Sequence, residues 1–450
     1  MKNVFVVGLD ERNHEILRRT PTGRDCRFHQ LLSLDELQTG EVDIDQLIAR
    51  AEKVLDDFPG TVDAICGYWD FPVTLLVPIL CERRGLPSAS LESVVKCEHK
   101  YWSRLEQRKV IDEYPPFALV ELNGDPAVPD PPGYPMWLKP VKSASSELAF
   151  HVLDDKDFGE AVSELREGID RIGRPFEQIL SRVDLPPEIS EVGGRTCLAE
   201  GALHGVQAAV EGFVYRGDVV VYAALDSVDY PGSPAFLRHQ YPSGLPEEVR
   251  ARMADVSERV IRQVGLDNST FSVEFFYDPV EDGLNLLEVN PRHSQSHAEL
   301  FELVDGIANH ERMLLLSLGR DPRMPAEARG EYDVAAEWYH RRFGDDGVPV
   351  RVPTDEEVDE LERSLPGVSV KVVPRPGEPL SQMRSQDSYS FELAKITIGA
   401  ADETEMRAKY ERCVEALRFE FAEEDEDEDM TPGRGTEQGT GRGTEQGAER

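Results

Sequence analysis

Residues 271–292 read FSVEFFYDPVEDGLNLLEVNPR. Two apolar runs, 271–278 and 284–290, flank a turn at Glu281-Asp282-Gly283, which predicts a pair of strands. Each run carries one carboxylate where burial makes charge costly unless it is paired or bound to a metal. Side chains alternate along a strand, so Glu288 and Asn290 share a face and Arg292 continues it. Glu274, Glu288 and Asn290 together offer the hard oxygen ligands that Mg²⁺ (or Mn²⁺) takes alongside substrate phosphates. Arg292 can grip a carboxylate or phosphate with two parallel hydrogen bonds.

Two further segments carry cations. Residues 137–148, WLKPVKSASSEL, run from a short strand through Lys139 into the small-residue loop Ser143-Ala144-Ser145-Ser146. Small residues let backbone N–H groups approach phosphate oxygens, and lysine supplies the charge. Residues 85–105, GLPSASLESVVKCEHKYWSRL, place Lys96 and Lys100 on a helix expected to begin after Ser93. The chain has 11 lysines against 38 arginines, so lysines clustered beside such a loop stand out.

The chain of 450 residues has 86 acidic and 49 basic side chains, a net charge of −37. Residues 422–450 hold −7 of it, leaving −30 spread over the rest. That sign argues against nucleic acid as a partner. Dispersed acids suit a protein working in high salt, where screening removes self-repulsion. A halophilic, cytoplasmic setting is the expectation, with unfolding in low-salt buffer. No apolar run reaches the ~20 residues a bilayer span needs, so no membrane partner is expected. The N-terminus has no signal-peptide pattern. Six scattered cysteines lack metal-ligand spacing and read as buried free thiols.

The pattern of elements predicts an α/β region over 1–95, with strands at 4–8, 28–32 and 62–68 and helices at 42–55 and 73–84. Gly8 reads as a tight strand-to-helix turn, and Pro78 should kink its helix. Residues 115–135 hold seven prolines and two glycines and read as loop with a short edge segment. A helix is expected over 157–172, ending before Gly173 and Pro175. Strands follow at 196–200, 206–215 and 218–226, then a helix at 245–264 closed by Gly265. After the paired strands comes a helix over 298–318, then a β-rich stretch (334–343, 368–373, 391–398) and a last helix at 403–421. Residues 423–429 are seven consecutive acids, and GRGTEQGT at 433–440 recurs as GRGTEQGA. Such a tail cannot offset its ordering entropy, so 422–450 is expected to be disordered.

In this order and spacing the three segments resemble the ATP-grasp superfamily, over roughly residues 1–325 with an extension to 420. The resemblance implies an α/β and α+β chain. A Rossmann-like pre-ATP-grasp domain (1–95) precedes a central subdomain (96–195) and a metal-bearing subdomain (196–325). A C-terminal extension (326–421) and the acidic tail follow. It implies ATP and Mg²⁺ as cofactors. Lys100, Lys139 and the loop residues Ser143, Ser145 and Ser146 would meet the phosphates, and Glu274, Glu288 and Asn290 the metal. Residues 198–207, LAEGALHGVQ, resemble the adenine hinge, with Glu200, Ala202 and Leu203 at the base. Gln207 stands where the superfamily usually has a ribose-binding glutamate. Arg238 falls where a cationic triphosphate contact is common. Glu211 and Asp226 are candidate polar groups of the inner sheet face.

The class phosphorylates a carboxylate to an acyl phosphate, which a nucleophile then captures. The expectation is a ligase joining a small-molecule carboxylate to an amine, with Arg292 and Arg238 steadying the acyl phosphate; a homodimer is left open. Residues 290–300, NPRHSQSHAEL, also resemble biotin carboxylases in Asn290, Arg292 and His297. Those enzymes' bicarbonate-binding glutamine and catalytic glutamate fall on Ser294 and Ser296, so carboxylation ranks second. A nucleotide-binding regulatory protein without turnover is the third reading. His293 and His297 read as substrate-pocket or structural histidines ahead of catalytic bases.

Overall fold

The structure is a computed structural model and describes residues 1–422 except 39, 41, 144–146, 234, 326 and 384–389. Ser145 and Ser146 therefore lie outside the described residues, as does the expected disordered tail from 423 on. Ala422 donates its N–H to Val348 O at 2.9 Å and belongs to the folded body.

Among the described residues, three larger sheets and one two-stranded pair organise the chain. The first is parallel, with Lys2–Val7 between Cys26–Leu31 and Ala64–Cys66. Val4, Phe5, Val6 and Val7 are all buried, as expected of a central parallel strand covered on both faces. Gly8 turns at φ 75° into the helix Glu11–Arg19, which Asp10 caps by accepting from Asn13 N. Val73–Arg84 remains one helix through Pro78 and closes at Gly85.

The second sheet is antiparallel, in the order Phe117–Val120, Cys197–Gly201, Met136–Pro140, Phe150–Val152. The strand Cys197–Gly201 is internal to it, so the expected boundary at 195/196 does not follow the sheets. The expected helix 157–172 is instead two helices, Asp155–Gly168 and Asp170–Leu180. Pro175 lies inside the second because its apolar face, through Phe176, Ile179 and Leu180, is fully buried. Gly173 is no stop signal: a Cβ there would sit 2.7 Å from Arg195 and 3.0 Å from Gly194 O.

The third sheet has eight antiparallel strands: Gly283–Asn290, Ser269–Asp278, Val206–Tyr215, Asp218–Asp229, Phe236–Tyr241, Val334–Phe343, Ser390–Ala400 and Val368–Val372. Val334–Phe343 pairs directly with Phe236–Tyr241, so the stretch beyond 326 extends this sheet instead of forming a separate unit. One face is apolar. Its Val273 and Phe275 pack with Met253, Val260 and Ile261 of the helix Glu247–Val264. Its Trp338 and Ile396 pack with Met406 of the helix Glu403–Ala416. The opposite face carries Glu274, Glu288 and Asn290, and the register continues it through Gln207 and Glu211 to His239, Glu337 and Thr397.

Two expected helices are shorter. Residues 298–318 break at Gly306 into Ala298–Asp305 and His310–Ser317. At Gly306 a Cβ would meet Arg329 O at 2.7 Å. The last helix ends at Ala416, and Glu420–Phe421 pairs with Pro349–Arg351. All six cysteines are buried and unpaired. Among the described residues no helix is long and apolar enough to cross a membrane.

Candidate active site

The polar face of the large sheet brings the paired-strand residues together. Glu274 and Glu288 are direct cross-strand partners, and Asn290 Nδ2 donates to Glu274 Oε1 at 3.2 Å and to Glu288 Oε1 at 3.4 Å. Glu274 also accepts from Gln207 Nε2 at 3.1 Å. Its hydrogen-bond partners are amides alone, with no cation. Burial and the neighbouring Glu288 push its carboxyl up from the usual range. Burial would raise Glu288 too, but Lys100 and Lys139 outweigh it and hold that carboxyl down. A carboxylate crowded by another and lacking a cation fits a Mg²⁺ site of two acids and an amide. Among the described residues there is no cluster of three His, Cys, Asp or Glu that could ligate a metal by itself, so substrate or water oxygens would complete this shell.

Lys100 reaches this face through a break in the helix where sequence spacing suggested continuity. Leu91–Glu98, capped by Ser90, ends at His99, and a new helix Lys100–Gln107 starts there. His99 is fully buried and makes the break. Its Nε2 contacts Gly193 O at 3.1 Å and its Nδ1 accepts from Trp102 N at 3.3 Å, so the ring is neutral with its proton on Nε2. Burial lowers its pKa to about 4. Lys100 N then bonds Val141 O at 2.8 Å. Lys100 Nζ lies 3.3 Å from Ser143 O and 3.4 Å from Glu288 Oε2. One lysine thus joins the segment after the strand Met136–Pro140 to the acid-bearing strand Gly283–Asn290.

Lys139 projects from the inner strand of the four-stranded sheet and pairs with Glu200 Oε2 at 2.5 Å. The other oxygen of Glu200 meets Arg104 Nε at 2.5 Å. The expected hinge glutamate therefore has a cation on each oxygen. Those cations overcome burial and keep its carboxyl at about 2. Arg104 also donates to Leu286 O and Leu287 O, tying the four-stranded sheet to the strand Gly283–Asn290. Nothing in the sequence reading singled out Arg104, although it lies four residues after Lys100 and shares its helix face. Lys142 is buried and pairs with Glu98 at 2.5 Å, away from Glu200 and Glu288. Ala202 N–H donates to Pro135 O at 3.2 Å, which leaves its carbonyl and the Leu203 backbone at the hinge. Gln207, expected at a ribose, holds Glu274.

Arg292 is bound bidentately by Asp70 at 2.7 Å on both arms. Asp70 follows the strand Ala64–Cys66, so the first domain closes this end of the cleft at the C-terminal edge of its parallel sheet. Arg238 is a correction. It lies on the apolar face of the large sheet, opposite Glu274, over the Trp338 ring at 4.6 Å and bonded to Gln240. One residue of strand register separates the two faces, and the adjacent His239 takes the polar one. Asp226 shares the Arg238 side, bonded to Ser243 and to Gly244 N. His293 is fully buried in a chain from Thr270 Oγ1 through His293 and His310 to Asn13, a structural role.

Lys100 on a helix and Lys139 on a strand of the four-stranded sheet thus lie near the paired acids and the amide of the large sheet. Residues 132–298 match the model of the ATP-grasp domain, and the chain has the ATP-grasp fold. It is similar to an L-amino acid ligase from Bacillus licheniformis, with TM-score 0.71 and 15% identity over 94% of this chain and 99% of that one. It is also similar to the dimeric biotin carboxylase domain of Hydrogenobacter thermophilus 2-oxoglutarate carboxylase, solved with MgADP and bicarbonate (TM-score 0.62, 14%, 93% and 90%). N5-carboxyaminoimidazole ribonucleotide synthetase from Thermotoga maritima gives TM-score 0.60 and 13% identity over 93% and 99%. No curated protein matches the chain by sequence.

Proposed function

We propose that this ATP-grasp ligase joins a small-molecule carboxylate to an amine, through an acyl phosphate made at the expense of ATP, in a salt-rich cytoplasm. The observation that carries the reading is the Lys100 bridge, 3.3 Å from the phosphate-loop carbonyl and 3.4 Å from Glu288. It supports one cleft in which phosphates and metal are held together. Lys100 and Lys139 would hold the triphosphate, exchanging their acid partners for phosphate oxygens, with Ser143 beside them. Ala202 and Leu203 would flank the adenine. Glu274, Glu288 and Asn290 would hold Mg²⁺, which when bound supplies charge neutralisation at the transferring phosphoryl group.

Arg292, held by Asp70, would orient the substrate carboxylate for attack on the γ-phosphate. The similarity to an amino acid ligase supports an amine as the capturing nucleophile. Carboxylation is less well supported: Ser294 and Ser296 hydrogen-bond each other at 2.8 Å, at the positions where the carboxylase resemblance would place its glutamine and base.

The test is ADP release in multi-molar KCl with pooled amino acids, polyamines, hydroxy acids and bicarbonate. Turnover requiring a carboxylate–amine pair is expected, together with loss of turnover on chelation of Mg²⁺. Signal with bicarbonate alone overturns the ligase reading in favour of carboxylation.

A further inference from the structure

An amine is an ammonium ion at neutral pH, and its lone pair attacks only after a proton is removed. None of the residues assigned above to nucleotide, metal or carboxylate is a free proton acceptor. The polar sheet face holds one. Glu211 lies two residues from Ala209, the cross-strand partner of Glu274, so it stands about 7 Å along the strand from the metal carboxylates on the same face. Its side chain has no exposed surface. It accepts from Tyr222 OH at 2.7 Å, His297 Nδ1 at 2.8 Å, Asn309 Nδ2 at 3.1 Å and Ser294 N at 3.2 Å. Burial alone would raise its carboxyl, but these donors hold it below the ordinary value, so it stays ionised.

An ionised carboxylate only accepts, so His297 Nδ1 carries the hydrogen, which leaves Nε2 as the ring nitrogen that can accept a proton. Nε2 has no protein partner among the described residues, and it is not among the buried polar atoms cut off from solvent. The ring faces Glu211 of the strand Val206–Tyr215 and His239 of the strand Phe236–Tyr241, the latter at 5.4 Å; Asn309, before the helix His310–Ser317, donates to the same Glu211. Arg312 of that helix is drawn off onto the Tyr222 ring at 3.6 Å. His239 adds no charge, because burial and nearby cations hold its pKa well down.

We propose that His297 is the catalytic base of the amine-capture step and that Glu211 is the positioning residue that fixes its tautomer. The assignment rests on the ligase reading above. His297 Nε2 takes one proton from the ammonium and so frees the nitrogen lone pair, which bonds to the acyl carbon; the second nitrogen proton leaves with the phosphate. The carbon–oxygen bond to phosphate breaks, and phosphate leaves with the electron pair. Glu211 balances the imidazolium that forms.

The experiment compares two nucleophiles on the full chain, with ATP, MgCl₂ and pooled L-amino acids in high KCl. Hydroxylamine is unprotonated at neutral pH and needs no base, whereas an amino acid does. His297→Gln keeps a donor toward Glu211 and loses the base. It is expected to lower amide formation about 100-fold or more while leaving hydroxamate formation unchanged. In Glu211→Gln the acidic limb of kcat/KM should move to lower pH, because the carboxylate that favours imidazolium is gone. Equal effects on amide and hydroxamate, or no effect on either, overturn the assignment. Should His297→Gln lose cooperative unfolding, His297→Ala with added imidazole replaces it: rescue of amide formation supports the base, and no rescue overturns it. A wild-type protein that makes neither product overturns the ligase reading, and this assignment with it.

Discussion

The carboxylate of Glu200 is almost fully enclosed, and its charge survives because Arg104 and Lys139 each take one oxygen. Removing one partner leaves an uncompensated buried charge, which costs far more than the intact pair contributes. Arg104→Ala should therefore lower unfolding free energy by about 3–5 kcal/mol, read by denaturant titration in high salt. Glu274 and Glu288 pose the opposite problem, two acids side by side with lysines reaching only one of them. Glu274→Gln and Glu288→Gln should each cut ADP formation about 100-fold or more and leave the fold intact, by analogy with the loss of one charge-stabilising group in other active sites. Full activity in either variant, or in Lys139→Ala, contradicts the site. These acids were legible in sequence because a carboxylate inside an apolar strand is conspicuous. Arg104 and Asp70 were not, because each sits in an ordinary polar context and acquires its role only from a partner far away along the chain.

At the scale of elements, the break at His99 is the feature that aims Lys100. Local propensity does not forbid one helix through residues 91–107. The break arises because His99 finds partners in Gly193 O and Trp102 N that a continuous helix would deny it. His99→Ala leaves both groups unsatisfied and opens a cavity. It should destabilise the protein by about 2–4 kcal/mol and raise the KM for ATP, measured by thermal unfolding and steady-state kinetics. The same logic explains Pro175 and Gly173, where packing of Phe176 and close approach of Gly194 override residues that ordinarily end helices.

At the scale of the whole molecule, the first domain meets the large sheet through charge as well as apolar packing. Arg12 spans Glu299 at 2.6 Å, Glu337 at 3.3 Å and Thr397 at 3.3 Å, so the first domain borders the polar face of the large sheet. The dispersed charge of −30 outside the tail should make the unfolding midpoint rise steeply with KCl, with unfolding near zero salt; full stability without salt removes the halophilic reading. Buried neutral histidines set the acid limit. His99 and His310 are lowered to about 4 by burial, and His293 and His239 further. Their unfolded forms bind protons below about pH 6.5 and their folded forms do not. The contribution of these four histidines to stability is therefore full above pH 6.5 and falls as pH drops from there through 4, which comparing urea midpoints of the wild type and His310→Gln across that window checks.

The sequence by itself determined the alternating order of strands and helices, the acid-bearing strand pair and the family it resembles. Those depend on periodicity and on residues whose placement is costly unless they have a purpose. Which face Arg238 takes, which cation meets Glu200, and how Asp70 reaches Arg292 were decided only in three dimensions. One residue of register reverses a strand's faces, and a charge finds its partner through packing between segments that sequence distance does not relate. The expected boundary at 325/326 moved for the same reason: hydrogen bonds between Val334–Phe343 and Phe236–Tyr241 join two stretches that the extent of the resemblance had separated.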